Sequence, residues 1–372
     1  MASAKIIYVA VIGVGGVGKS FLTQLEAILR QPASSTSVLS HLRLVYIARS
    51  KKALVSESYK AISQHTWPQD LARSNAAPLS QHDLVDYLSK APGRAIVVDN
   101  TSNNDIAEAY PLFLAASISV VTPSKIAFSS DLDLWKAIFT AAANGSGPPG
   151  AGYVFHEPTV GAGLPVISTI KDLNNTGNHV TRVEGVFSGT MSFLFNSFMP
   201  MGGAESVPFS AHVKIAKDLG YTEPDARHDL SGLDVARKCT ILARLCGLAI
   251  PSPTSFPVQS LIPAGLADCK SSNEFLERLA DFDDDMEKVK TEALSEGKVL
   301  RYVGAVDVTR GECEVGLKRF DSEHPIAAMK GDDLQLNLYT AHYKSPIVIQ
   351  GCGEGAYLAV LTDLIKVCEL LL

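Results

Sequence analysis

The sequence predicts an α/β protein in two parts, a nucleotide-binding domain followed by a domain of α+β character. Three observations carry this. An apolar run at residues 6–12 passes through a glycine-rich turn into a stretch of helical periodicity. Short apolar runs at 42–48, 95–98 and 118–121 then alternate with helical and loop stretches, the rhythm of a parallel sheet with crossovers. Beyond a Gly/Pro-rich linker at 144–152 that rhythm stops, and strands of alternating or apolar character dominate at 299–308, 312–320, 334–340 and 347–350.

The first run, IIYVAVI, is β-branched and suits a buried parallel strand. It enters Gly13-Val14-Gly15-Gly16-Val17-Gly18-Lys19-Ser20 and then FLTQLEAIL. A helix N-terminus presents free N–H groups, so strand, glycine turn and helix together make a phosphate-binding unit. Two motifs overlap in that turn. Gly13, Gly15 and Gly18 spell GxGxxG, the fingerprint of a Rossmann-type dinucleotide domain. Gly13 to Ser20 also spell GxxxxGKS, the P-loop of an NTPase. Asp99, after an apolar strand, adds a second partial match to the NTPase reading, with Lys19 and Ser20 as phosphate and magnesium ligands. The local sequence does not separate the two.

The second run, LRLVYIA, leads into Arg49, Ser50, Lys51 and Lys52. An acid at the end of this strand would hold ribose hydroxyls and repel a 2′-phosphate. Cations and a hydroxyl would hold that phosphate, which favours NADP(H) over NAD(H). A basic surface turn has the same composition. The third and fourth runs end in Asp99-Asn100-Thr101 and Thr122-Pro123-Ser124-Lys125. Open α/β sheets bind ligands beyond these strand ends, so Lys125 becomes a candidate; a solvated loop lysine is the plain alternative. In HEPTVGAGLPVI (156–167), closely spaced prolines and glycines make a stiff turn whose carbonyls can face inward; from the sequence alone a tight loop opening a helix is the plainer reading.

Residues 220–238, GYTEPDARHDLSGLDVARK, gather Glu223, Asp225, Asp229, Asp234 and Lys238. Asp234 and Lys238 are four apart, hence on one helix face, which continues as Ile241, Leu242 and Leu245. A carboxylate and an amine heading an apolar stripe point to a cleft, against the alternative of a solvated ion pair.

Composition narrows the class. The chain has 372 residues, 46% hydrophobic and 19% charged, the profile of a globular protein with room for two cores. A net charge of −6 argues against bulk nucleic-acid binding. No apolar run is long enough for a membrane span, and the first strand begins almost at once, so we expect a cytoplasmic protein without a targeting peptide. The six cysteines show neither a CxxC pair nor a disulfide framework.

Six segments in order carry a family resemblance: GVGGVG, VDNTSN, TPSKIAFSS, HEPTVGAGLPVI, EGVFSGTMSFLFN and the 220–238 stretch. With these the sequence resembles homoserine dehydrogenase of the short fungal form. The resemblance implies a Rossmann-type nucleotide-binding domain (1–152 and 345–372) and an α+β substrate-binding and dimerisation domain (153–344). It implies interconversion of L-homoserine and L-aspartate 4-semialdehyde with NAD(P), in threonine and methionine biosynthesis, by a homodimer lacking a regulatory extension or kinase domain. It assigns Lys238 and Lys125 to catalysis, Lys238 as proton donor, and Gly220, Glu223 and Asp234 to the substrate. It assigns the 13–18 turn, Thr101, Lys125 and Gly355 to the cofactor, beside Arg49, Ser50 and Lys51. The carbonyls of Glu157, Val160, Ala162 and Leu164 match a monovalent cation site, usually sodium. One departure stands out: the last helix opens AYLAVLTD, bulkier than the family's small-residue start, with Tyr357 foremost.

Overall fold

The computed structural model describes residues 6–30, 38–202 and 207–372. The chain divides into two compact units, one of residues 1–163 with 354–372 and one of 164–353.

The first unit is built on a six-stranded sheet. Its strands are β1 (Ile7–Ile12), β2 (Leu42–Arg49), β3 (Lys52–Val55), β4 (Arg94–Asp99), β5 (Ile118–Val121) and β6 (Val154–Phe155), in the order β3-β2-β1-β4-β5-β6. β1 pairs in parallel with β2 and β4, and β4, β5 and β6 continue in parallel. The strand order reverses direction at β1, so a crevice opens at its carboxyl end, where the glycine turn lies. β3 runs antiparallel to β2, Arg49 opposite Lys52. The basic stretch is thus a two-residue hairpin turn, Ser50-Lys51. Val9, Val11, Leu44, Ile47, Ile96 and Val98 are buried with Phe21, Leu22 and Leu25 of the Gly16–Leu29 helix. The last helix, Ala356–Leu371, completes that core with Val360, Leu364 and Val367. Tyr357 packs against the same cluster, which accounts for the bulky start of this helix.

The second unit carries a five-stranded antiparallel sheet. Its strands are β7 (Val180–Val186), β8 (Lys298–Asp307), β9 (Glu312–Asp321), β10 (Leu334–Thr340) and β11 (Ile347–Gly351), in the order β11-β10-β7-β8-β9. Helices Gly189–Phe198 and Leu233–Leu245 pack on it. Arg301 of β8, only 1% exposed, donates to the carbonyls of Phe195, Met199 and Ala327. Burial lowers its pKa to about 10. It anchors the carboxyl end of the Gly189–Phe198 helix, where orphan carbonyls accept a cation well.

The breaks expected at 152/153 and 344/345 fall inside these units. Val154–Phe155 is a strand of the first sheet, paired with β5, and Ile347–Gly351 pairs with β10 in the second. The linker composition marked a surface loop between β5 and β6, not the end of the unit.

Candidate functional site

The first unit gathers its candidates at the carboxyl ends of β1, β2, β4 and β5. Gly13 donates its N–H to Ala48 O (2.9 Å) and Asn100 donates to Ile12 O (2.8 Å), which stitches three strand ends together. Gly15 caps the Gly16–Leu29 helix, with Gly16, Val17 and Gly18 in its first turn. Val14 and Val17 turn inward against the core, which anchors the turn from below. A Cβ on Gly18 would lie 2.0 Å from Gly13 O, so only glycine lets the helix approach the strand this closely. A Cβ on Gly15 or Gly16 would meet no atom within 4 Å. The turn is therefore tight below and open above, and its first helical turn carries no acidic side chain.

These residues fit a dinucleotide. A cavity of about 450 Å³ opens beside the turn, lined by Gly13, Ala48, Arg49, Ser50, Thr101 and Asn103 among others. Both side-chain polar atoms of Asn100 are buried without a hydrogen-bond partner. An unmet buried amide beside the turn is expensive unless a ligand satisfies it. Arg49 and Lys51 are exposed at the hairpin tip, whereas Lys52 turns away and donates to Ala72 O. Lys125 caps the short Ile126–Ser129 helix just past β5.

The NTPase reading fails on Asp99. Its residue is fully buried. Oδ1 accepts from the Thr101 N–H (2.9 Å) and hydroxyl (2.7 Å), and Oδ2 contacts the Tyr110 hydroxyl (2.6 Å). No carboxylate oxygen is left to face a magnesium ion. Lys19 and Ser20 lie on the exposed side of the helix.

The 156–163 loop begins with a 3₁₀ turn, Glu157–Thr159. Gly161 (φ 86°) and Ala162 (φ 53°) follow in left-handed conformations, which turn successive carbonyls in different directions. Among the described residues, no recorded hydrogen bond ends on the carbonyl of Val160 or Ala162, and Val160 is fully buried. Such carbonyls need a partner, and a hard cation is one. Glu157 O takes a long bond from Val160 N (3.5 Å), and Leu164 O, in the second unit, accepts from Val166 N (3.0 Å).

Sequence reasoning missed what fastens this loop. Asp363 of the last helix, fully buried, accepts the Glu157 N–H at 2.7 Å, and Glu354 O accepts from Gly163 N at 3.1 Å. Lys366 lies 3.7 Å from the Glu157 carboxylate and 3.8 Å from that of Asp363. Gly355, predicted to touch the cofactor, is the left-handed cap (φ 81°) that starts this helix. An aspartate eight residues beyond the glycine cluster was the available signal.

The second unit holds the other candidates. The Phe209–Asp218 helix ends at Gly220 (φ 79°), where Tyr221 N donates to Ala216 O and Gly220 N to Lys217 O. This double bond pattern needs a left-handed residue and turns the chain sharply into Thr222-Glu223. Asp229 holds that turn: Oδ2 accepts from Glu223 N (2.9 Å) and Oδ1 from the Thr190 hydroxyl (3.0 Å). Burial, with the nearby charges of Glu223 and Asp234, raises the Asp229 carboxyl above its ordinary pKa. Glu223, exposed on the turn, and Asp234, at the start of the Leu233–Leu245 helix, are thus near enough for their charges to act on Asp229. Asp225 is outside this group, paired with Arg227 at 2.6 Å.

Asp234 stands in the first turn of that helix and Lys238 one turn on, 2.7 Å apart. The Lys238 side chain is 14% exposed and Asp234 39%. Lys238 also donates to Phe187 O at 2.7 Å. Phe187 precedes Ser188, the cap of the Gly189–Phe198 helix, which ties the lysine to the segment Arg301 anchors. Ile241 and Leu242 are buried beyond it, as the apolar stripe predicts. The ammonium has a third hydrogen left for a ligand.

A family model described as homoserine dehydrogenase matches residues 165–365, and one described as the homoserine dehydrogenase NAD binding domain matches 13–147. A homoserine dehydrogenase of Paracoccidioides brasiliensis (strain Pb18) is 51% identical over 99% of both chains. The structure of a Candida auris protein of unknown function superposes with a TM-score of 0.90 and 43% identity, covering 99% of each chain. A hyperthermophilic archaeal homoserine dehydrogenase in complex with NADPH superposes at 0.68 with 20% identity, covering 98% of this chain and 97% of that one.

Proposed function

The chain belongs to the homoserine dehydrogenase family and is an NAD(P)-dependent oxidoreductase acting on a CH–OH group, and on that premise we propose how its residues divide the work. The observation that carries the proposal is the part-buried Asp234–Lys238 pair in the second unit, with Lys238 also bonded to Phe187 O. When bound, NAD(P)H would supply hydride to aspartate 4-semialdehyde, and NAD(P)⁺ would accept hydride from homoserine. Reduction leaves an alkoxide on the former aldehyde carbon. Lys238 donates the proton that converts it to the alcohol, and takes it back in the oxidative direction. Asp234 and Glu223 hold the substrate ammonium, and the turn at Gly220 presents Glu223. Lys125, at the end of β5, adds positive charge that favours the developing oxyanion. The pathway served is threonine and methionine biosynthesis. The direct test is homoserine-dependent reduction of NADP⁺ followed at the nicotinamide absorbance.

NADP(H) is the preferred cofactor, read from Arg49, Ser50 and Lys51 on the hairpin tip. Arg49→Asp is expected to shift the kcat/KM preference toward NAD⁺ by at least about tenfold, since it replaces a phosphate-binding cation with an acid. An unchanged ratio means that this turn does not read the 2′-phosphate. A hyperthermophilic archaeal homoserine dehydrogenase and a mutant of one are seen in complex with NADPH.

The loop carbonyls of Glu157, Val160, Ala162 and Leu164 hold sodium. Exchange of sodium for tetramethylammonium at constant ionic strength is expected to lower the melting temperature by a few degrees, because a ligand specific for the native state is withdrawn. Equal melting in both salts removes the assignment. The assembly is a homodimer, checked by light scattering.

A further inference from the structure

The geometry points to Asp99, Tyr110 and Thr122 as a buried clamp that positions the two loops carrying Thr101 and Lys125, with Asp99 held as a neutral acid. This rests on the dinucleotide reading of the first unit and adds residues that the reaction itself does not require.

Asp99 ends β4 and Thr122 follows β5, while Tyr110 opens the Tyr110–Ala115 helix between them. All three are fully buried. Thr122 Oγ1 donates to Asp99 O at 2.7 Å, across the two strand ends. The Tyr110 hydroxyl lies 2.6 Å from Asp99 Oδ2 and 3.0 Å from Thr122 Oγ1. From this triangle, bonds run outward to both loops. Asp99 Oδ1 accepts from the N–H and hydroxyl of Thr101. Thr122 Oγ1 accepts from Ser124 N at 2.9 Å, one residue before Lys125. The residues that would meet cofactor and substrate are thus each one or two bonds from the same three side chains.

The hydrogens decide the protonation state. The triangle has three oxygen–oxygen contacts, and its two hydroxyls supply two hydrogens. Asp99 O is a carbonyl and only accepts, so the Thr122 hydrogen is committed there. The Tyr110 hydrogen serves one of its two contacts. A hydrogen on Asp99 Oδ2, donated to Tyr110 while Tyr110 donates to Thr122, satisfies both contacts at once. Oδ1 is then the carbonyl oxygen of the acid, matching its two donors from Thr101. Burial raises the Asp99 carboxyl, against the lowering effect of the hydrogen bonds from Tyr110 and Thr101, and keeps Tyr110 protonated.

The test uses the full chain. Tyr110→Phe is expected to lower kcat and raise the KM for NADPH by about tenfold each, with the homoserine KM within about twofold, because a buried acid and hydroxyl lose their partner beside the cofactor. Thr122→Val should behave alike and Thr122→Ser should recover. Should Tyr110→Phe fail to fold, the Thr122 pair decides. Variants that melt earlier with unchanged kinetic constants overturn the positioning role. In infrared difference spectra, a carboxylic-acid carbonyl stretch should be present in the wild type and lost in Asp99→Asn; its absence from the wild type overturns the neutral acid. A wild type that fails to bind NADPH would count against the dinucleotide reading instead, and the infrared measurement needs no cofactor.

Discussion

Lys238→Ala is expected to lower kcat by at least about 10²-fold while NADPH affinity stays within about twofold. The argument starts from the helix. Asp234 and Lys238 share a face, and the structure leaves the lysine side chain only 14% exposed, between the Asp234 carboxylate and Phe187 O. An ammonium gripped at two points has one hydrogen to aim, and its position varies little. Alanine removes the proton source and leaves the carboxylate in place, so substrate binding survives better than turnover. Asp234→Ala should divide the constants the other way, raising the homoserine KM by at least about tenfold through loss of the ammonium partner. Steady-state kinetics on the two variants checks this. Near wild-type turnover in Lys238→Ala would remove the lysine from the proton step, and an unchanged KM in Asp234→Ala would remove the aspartate from the substrate.

Gly18→Ala is expected to weaken NADPH by at least about 10²-fold and to lower the melting temperature, since one added methyl must displace backbone. Its Cβ would sit 2.0 Å from Gly13 O and 3.3 Å from the Asn100 Cβ. Neither is the far end of a flexible side chain. The helix must move away from β1, and the N–H groups at its start move with it. Gly15→Ala is the informative contrast. That Cβ meets nothing of the protein within 4 Å, so the fold should tolerate it, while the methyl projects over the open side of the turn. NADPH fluorescence titration and thermal melts separate the two effects. A Gly18→Ala protein with wild-type affinity would overturn the close-packing argument.

Much of this was legible in the sequence because it depended on local spacing. The apolar runs located β1, β2, β4 and β5 within a residue or two, and the i,i+4 rule brought Asp234 to Lys238. Gly220 announced the helix end it occupies. What was hidden depended on side chains meeting across long separations. Asp363 binds the Glu157 N–H, 206 residues away in sequence, and nothing near either residue predicts that pairing. Asp99 partly matched the NTPase pattern because a strand-terminal aspartate has the same local sequence whether it faces solvent or Tyr110. The hairpin after Arg49 was missed because its turn, Ser50-Lys51, lacks glycine and asparagine, the residues that usually mark such turns. Arg301 gave no signal, since a lone arginine in an apolar strand reads as an edge residue until its carbonyl partners are in view.

The last helix has a consequence for how the protein is made. The second unit is one continuous stretch, 164–353, so all of it has been synthesised before the last helix begins. The first unit is begun earlier yet lacks Val360, Leu364, Val367 and the Asp363 fastening until residues 354–372 are synthesised. Domains usually fold in the order of synthesis. Here the half started first is finished last. For that interval its sheet lacks part of its apolar cover, which makes it the stage at which a chaperone would have surface to hold.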